Sequence, residues 1–286
     1  MHNNKIIITG AGGQLGQALL AEFPGANGLS SSELNITLKD KIDDVFTTHS
    51  PSLVINCAAY TNVEKAEEEK ELAMKVNSDS VGYLAKCCKV ANIPLIHFST
   101  DYVFNGSGTP LKEDDPTSPL NHYGLSKLSG EKLALQHHPN TWIFRLSWLY
   151  SNKHNNFKNT IIRKGDDEQL TIVDDQISSP TYAVHLAKDI KLILNQILNR
   201  TSKPGVYHYS HSGETSWYGF AKEIKKNYQL KSKIVPVKSH EFQTKAERPG
   251  YSKMDASNFF LKFGIPQIHW KEALEVCSLK DNKNGQ

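Results

Sequence analysis

The stretch Ile6-Ile7-Ile8-Thr9-Gly10-Ala11-Gly12-Gly13-Gln14-Leu15-Gly16 decides how the chain folds. Three β-branched residues in a row favour an extended strand. Helical apolar spacing begins just after the glycines, at Leu15, Leu19 and Phe23. The run therefore predicts strand, tight turn and helix in immediate succession. Its glycines at 10, 13 and 16 have G-x-x-G-x-x-G spacing. Gly10 permits the turn, Gly13 lets a pyrophosphate approach the backbone, and Gly16 lets the helix pack on the strand. The free N–H groups and the dipole of that helix then face an anion. With a strand before it and a helix after it, the turn reads as a dinucleotide-binding site.

Working outward, Leu53–Asn56, Pro94–Phe98 and Trp142–Leu146 are short apolar strands. They alternate with helical stretches at Gln14–Phe23, at Glu64–Ala91 with one break, and at Tyr123–His137. Continuous apolar strands between helices predict a doubly wound parallel α/β sheet of Rossmann type, covered on both faces. Beyond Leu146 the pattern loosens. Short strands at Leu170–Val173, Val206–Tyr209 and Ile234–Pro236 are separated by helices around Tyr182–Leu198 and Trp217–Tyr228. A smaller α+β lobe at the open end of the sheet is expected. Residues 1–148 plus about 181–210 are assigned to the dinucleotide-binding domain, and about 149–180 and 211–286 to the substrate lobe. The polar tail Lys280–Gln286 is expected to fray.

Composition narrows the classes. Among 286 residues, 38% are hydrophobic and 22% charged, which excludes disordered and fibrous chains. Lys and Arg number 33 against 30 Asp and Glu, with no basic stripe, so nucleic acid is not an expected partner. No apolar run reaches the ~18 residues of a spanning helix, and no cleavable apolar leader is visible; a cytoplasmic protein away from membranes is expected. Cys57, Cys87, Cys88 and Cys277 form no C-x-x-C pair, and reduced thiols are expected. The histidines lack ligand spacing: His137–His138 lead into Pro139 as a surface turn, and His208 and His211 flank a strand end. No metal site is expected.

Ser99-Thr100-Asp101-Tyr102 follows a strand, at the carboxyl end where open α/β sheets bind ligands. Tyr123 and Lys127 open a helix four residues apart and share one of its faces. A free tyrosine has a pKa of ~10. An ammonium beside it, together with the positive nicotinamide of oxidised cofactor, is expected to lower that value toward the operating range. The Thr100 hydroxyl can hydrogen-bond the same substrate oxygen. This set suits carbonyl reduction, with hydride delivered to carbon by a nicotinamide cofactor and a proton to oxygen by Tyr123. The position that carries an acid for the adenosine ribose in NAD-binding turns is Ser30. Its lack of a carboxylate favours NADPH, with NADH possible, although Glu33 is close enough in sequence to reach round.

The glycine turn, the Ser-Thr after a mid-chain strand and the Y-x-x-x-K, in that order, resemble the extended short-chain dehydrogenase/reductase superfamily. Further stretches narrow the resemblance: GGQLG at 12–16, NCAAYTNVEKAE at 56–67, STDYVF at 99–104, YGLSKLSGEK at 123–132, FRLSWLY at 144–150, DDQISSPTY at 174–182 and Arg248–Pro249. Together they span nearly the whole chain and are similar to the dTDP-4-dehydrorhamnose reductase family.

That resemblance implies a role for each matched position. Gly13, Gln14 and Leu15 would touch the cofactor pyrophosphate, and Ser30, Asn35 and Ile36 would surround its adenosine. Ala58, Ala59 and Tyr60 would line the strand-end wall, with Phe98 beneath the nicotinamide. Tyr123 and Lys127 would hold the nicotinamide ribose, and Thr100, Asp101 and Trp148 would contact the sugar. Arg248 is a candidate for the nucleotide phosphates by its charge and its place beside Pro249. Some family members bind magnesium at a dimer interface through a glutamate, but Ala18 stands at the matching position, so no metal-linked dimer is implied and a monomer or homodimer is expected. The implied activity is reduction of the C4 ketone of dTDP-4-dehydro-L-rhamnose to dTDP-L-rhamnose. The alternatives are a reductase of another nucleotide-linked 4-keto-6-deoxysugar, or a non-catalytic regulatory binding subunit, against which the intact Thr100, Tyr123 and Lys127 set argues.

Overall fold

Ile6, Ile7 and Ile8 extend as strand β1 (Ile6–Thr9), where successive side chains point to opposite faces. Ile6 and Ile8 enter one buried cluster and Ile7 another. Burial on both faces is what a parallel sheet covered by helices demands. The computed structural model describes residues 5–106 and 108–284.

After β1 come α1 (Gln14–Glu22), β2 (Asn27–Leu29), α2 (Lys39–His49), β3 (Leu53–Asn56), α3 (Val63–Ala66) and α4 (Lys70–Met74). A π-helical turn (Lys75–Asp79) leads into α5 (Ser80–Val90), followed by β4 (Leu95–Thr100), α6 (His122–His137) and β5 (Thr141–Leu146). The chain then runs through β6 (Leu149–Tyr150), α7 (Phe157–Arg163), β7 (Gln169–Val173), β8 (Ile177–Ser178) and β9 (Thr181–Tyr182). It continues through α8 (Ala183–Leu198), β10 (Gly205–Tyr209), β11 (Thr215–Ser216) and α9 (Trp217–Tyr228). The last elements are β12 (Lys233–Val237), α10 (Ser257–Phe263) and α11 (Trp270–Asn284).

Six strands form one sheet in the order β10-β5-β4-β3-β1-β2, and every neighbouring pair is parallel. The strand order reverses between β1 and β3, so a crevice opens at their carboxyl ends, where sheets of this type bind ligands. Side chains of α1, α8 and α10 cover one face, and those of α2, α5 and α6 the other. Around Tyr150, Tyr182, Phe220 and Trp270 a second core assembles from α7, α9 and α11, bordered by the parallel pair β7–β12.

Four features depart from the sequence expectation. The stretch 64–91 is broken twice, after Ala66 and by the π-helical turn. At that turn Asn77 accepts from the Tyr60 N–H at 2.8 Å and donates to the Tyr60 carbonyl and to Ser126 Oγ, each at 2.9 Å. These bonds draw the loop after β3 onto α6 and compensate the irregular backbone. The tail from Lys280 continues α11 to Asn284 instead of fraying, while Gly285 and Gln286 lie outside the described residues. His138 is buried and donates from Nε2 to the Ile93 carbonyl at 2.8 Å, so it is no surface turn. Finally, α10 packs Phe259, Phe260 and Phe263 into the core of the large sheet, although it falls within the span 211–286 expected for the smaller lobe.

Two buried ionic contacts tie elements together. Arg145 of β5 forms a two-pronged pair with Glu131 of α6, at 3.0 Å from Nε and 2.8 Å from Nη2. In the smaller lobe the fully buried Lys158 donates to Asp281 of α11 at 2.6 Å. The same carboxylate accepts from Tyr228 at 2.6 Å and from Asn152 at 2.8 Å.

Candidate active site

At the carboxyl ends of β1, β3 and β4 lies a cavity of about 1020 Å³, walled on its far side by the smaller lobe. Small-molecule sites commonly measure ~300–1,000 Å³, so a dinucleotide and a second ligand both have room. Every position expected to meet cofactor or sugar, from Gly10 to Trp148, lines it.

The glycine turn is shaped by close approach. Gly10 has φ +64°, and a Cβ there would lie 2.5 Å from the Ala58 nitrogen. A Cβ on Gly16 would lie 2.4 Å from the Gly10 carbonyl oxygen, so only glycine lets α1 begin this close to β1. The Gly13 N–H closes the turn on Gly10 at 2.9 Å. No side chain caps α1 at Gly13, which leaves its first N–H groups for a ligand anion. An uncapped helix start above a glycine cradle fits a dinucleotide diphosphate.

Ser30 is less open than its sequence suggests. Glu33 folds back so that its carboxylate accepts from the Ser30 N–H at 2.8 Å and from the Ser30 hydroxyl at 2.7 Å. Those bonds hold the Glu33 carboxyl below its ordinary range. A carboxylate thus lies against position 30 although the residue there is a serine.

The α6 start is fixed by its cap. Asn121 Oδ1 accepts from the Gly124 N–H at 2.8 Å, and its Nδ2 donates to the Glu247 carbonyl at 2.7 Å. Tyr123 and Lys127 thereby face the end of β4. The Thr100 hydroxyl meets that of Tyr123 and donates to Asp101 Oδ1 at 3.1 Å. Asp101 is buried and also accepts from Ser252 at 2.5 Å; burial nevertheless pushes its carboxyl up to about 7.

The expected lowering of the Tyr123 pKa is not what the cofactor-free geometry gives. Burial pushes that hydroxyl up to about 12, with the Asp101 charge acting in the same direction. Lys127 does not offset this: its Nζ is turned to the Phe98 carbonyl at 2.6 Å, and Tyr123 meets Thr100 instead. For a proton donor the raised value is suitable, since the proton stays on through the neutral range. Burial pushes Lys127 down to about 8.

Beneath Lys127 runs a buried hydrogen-bonded row. Thr9 Oγ1 donates to Asn56 Oδ1 at 2.5 Å, Asn56 Nδ2 lies 3.0 Å from His97 Nδ1, and His97 Nε2 lies 3.4 Å from Lys127 Nζ. The sequence offered one hint of it, a histidine inside an otherwise apolar strand.

Aromatic residues from the smaller lobe complete the cavity. Trp148 takes φ +44° and stacks on Trp217 with centroids 3.5 Å apart and planes 9° from parallel. Phe157 packs against Trp217 at 4.5 Å. Position 217 reads from sequence as an anchor of the second lobe; the structure places it in the cavity wall. Arg248 is not among the described residues that line the cavity: its guanidinium pairs with Glu64 and the Ala246 carbonyl and bonds Tyr102, which does line it. Among the described residues no cluster of three or more metal-ligating side chains occurs, and no helix is long and apolar enough to cross a membrane.

Comparison with known proteins matches this arrangement over nearly its whole length. A family model described as RmlD substrate binding domain covers residues 4–282. A dTDP-4-dehydrorhamnose reductase of Aggregatibacter actinomycetemcomitans is 37% identical over 289 residues, spanning 95% of this chain and 97% of its own. The spore coat polysaccharide biosynthesis protein SpsK of Bacillus subtilis is 37% identical over 276 residues, spanning 94% and 95%. The crystal structure of dTDP-4-dehydrorhamnose reductase from Bacillus anthracis, in complex with NADP, superposes with a TM-score of 0.89 at 36% identity, covering 96% of this chain and 98% of that one.

Proposed function

This chain belongs to the RmlD substrate binding domain family, and from that premise we propose that it reduces the C4 ketone of dTDP-4-dehydro-L-rhamnose to give dTDP-L-rhamnose. The observation that carries the reading is the convergence of Thr100, Tyr123 and Lys127 on the cavity that the glycine turn opens. NADPH is the preferred cofactor, with NADH also accepted. When bound, it supplies the hydride.

The residues of the chain do the rest. The uncapped start of α1 holds the diphosphate, and Lys127 and Tyr123 take the nicotinamide ribose. The Tyr123 hydroxyl, still protonated at neutral pH, gives its proton to the C4 oxygen. Thr100 shares that oxygen and is held in place by its bond to Asp101. The stacked indoles of Trp148 and Trp217 offer an apolar wall for a deoxysugar ring and exclude water.

Loss of NADPH absorbance on adding a panel of dTDP- and UDP-linked 4-keto sugars tests this. The dTDP-4-dehydro-L-rhamnose arm is expected to turn over fastest. Faster reduction of a different nucleotide-linked ketone would overturn the assigned sugar. NADPH binding without oxidation by any member of the panel would overturn the enzymatic reading.

A further inference from the structure

The buried row beneath Lys127 has a direction that its donors and acceptors dictate. The Ala58 backbone N–H lies 3.2 Å from Asn56 Oδ1, and a backbone N–H can only donate. Thr9 donates to the same atom. The Asn56 oxygen is thereby fixed, and its amide nitrogen must face His97. That nitrogen donates, so His97 Nδ1 accepts, and a neutral imidazole that accepts at Nδ1 carries its proton on Nε2. The Nε2–H points at Lys127 Nζ. An ammonium has no lone pair to receive it, whereas an amine has one.

We propose that Asn56 and His97 form a positioning pair for Lys127, whose aligned hydrogen bonds favour the neutral amine form of Nζ in the empty cavity, and that cofactor hydroxyls turn the preference back to the ammonium. With the amine, every group in the row is satisfied, from the Thr9 hydroxyl to the Lys127 N–H on the Phe98 carbonyl. With the ammonium, two donors meet at His97.

The surrounding charges leave the pair in control. Lys127 is faced by His97 on β4, by Cys57 after β3, by Tyr123 one turn earlier on α6 and by Glu131 one turn later. Burial keeps the Cys57 thiol and the Tyr123 hydroxyl protonated. Glu131 is engaged by Arg145. No free anion is left to hold the ammonium in place. Burial lowers Lys127 to about 8, so the amine is a minority at pH 7 and about half the population near pH 8, and burial lowers His97 well below its ordinary value, which keeps the imidazole neutral.

The return to the ammonium rests on the reading of Lys127 as a cofactor contact; the proton arrangement does not. Two-bond ¹⁵N–¹H spectra of the cofactor-free chain, with the His97 signals identified by their loss in His97→Gln, should show the proton on Nε2. A proton on Nδ1 would overturn the proposal. Lysine ¹³Cε titration should place Lys127 about 1–2 units higher in His97→Gln, where an amide oxygen can accept from the ammonium without added charge. An unmoved Lys127 would also overturn it. Asn56→Asp, which surrounds a carboxylate with three donors, should transfer the imidazole proton to Nδ1. Calorimetry with NADP⁺ near pH 8, in two buffers of different ionisation enthalpy, should show proton uptake that shrinks in His97→Gln. Binding without uptake refutes the coupling. An absence of NADP⁺ binding refutes the cofactor reading and leaves the spectra to decide the pair.

Discussion

Replacing Tyr123 with phenylalanine deletes one hydroxyl and little else. The ring keeps its edge-on contact with Tyr102, at 6.0 Å between centroids, and Thr100 keeps Asp101 as a partner at 3.1 Å. No buried group is stranded, so the folding cost should stay below about 1 kcal/mol, a Tm change of a few degrees at most for a chain of this size. The chemistry should suffer far more. A donor held at about 12 would be replaced by water, whose pKa is ~15.7. With a Brønsted coefficient near one half, acidity alone accounts for roughly a hundredfold loss. Loss of a fixed donor position adds to that, so single-turnover reduction should slow by ~10²–10⁴, about 2.7–5.4 kcal/mol of barrier. Sugar and cofactor affinity should change little. Stopped-flow NADPH absorbance at saturating ketone reads the step directly. A rate within about threefold of the parent would mean that the proton comes from elsewhere and that the geometry around Thr100 serves another purpose.

The remaining predictions concern charge. Glu33→Gln removes the carboxylate seated on Ser30 and should raise the NADPH-over-NADH ratio of kcat/KM about fivefold, while an unchanged ratio would show that Glu33 does not face the adenosine. Asp101 holds its proton more tightly folded, at about 7, than its ordinary 3.8. Its contribution to stability is therefore full below about 3.8 and is lost as pH rises through 7. Asp101→Asn should therefore gain stability relative to the parent as pH rises from 5 to 8, by roughly 2–4 kcal/mol in paired urea titrations; a parent–variant difference that does not change with pH would refute the buried acid. Arg145→Met strands the Glu131 carboxylate and should cost about 3–5 kcal/mol in urea unfolding, and adding Glu131→Leu should restore most of it.

What could be read in advance was whatever is local in sequence. The glycines, the strand ahead of them and the Tyr123–Lys127 spacing are set by neighbours a few residues away, and each sits where its local chemistry required. The unread parts depend on distant partners. Trp217 meets Trp148 across the lobe boundary, and nothing near either residue announces the stack. His138 is buried because Ile93, far back in the chain, offers it a carbonyl. Arg248 has the right charge for a phosphate, but its guanidinium is bonded to Glu64, distant in sequence. The raised Tyr123 pKa of the cofactor-free chain was unread for a related reason: spacing puts a lysine on the same helix face, but only coordinates show it turned toward Phe98.

The bonds that Asp281 makes carry a consequence for anyone shortening this chain. Asn152 and Asn156 lie on one loop, and while Asn152 is gripped by Asp281, Asn156 donates to Gln14 at 2.9 Å in the glycine turn. A stop codon just ahead of Asp281 would remove the carboxylate bonded to the fully buried Lys158, and would release one end of that loop. The slackened segment includes His154, Asn155 and Asn156, which line the cavity wall. Loss of Asp281 would thus be felt at the glycine turn, through Asn152, Asn156 and Gln14.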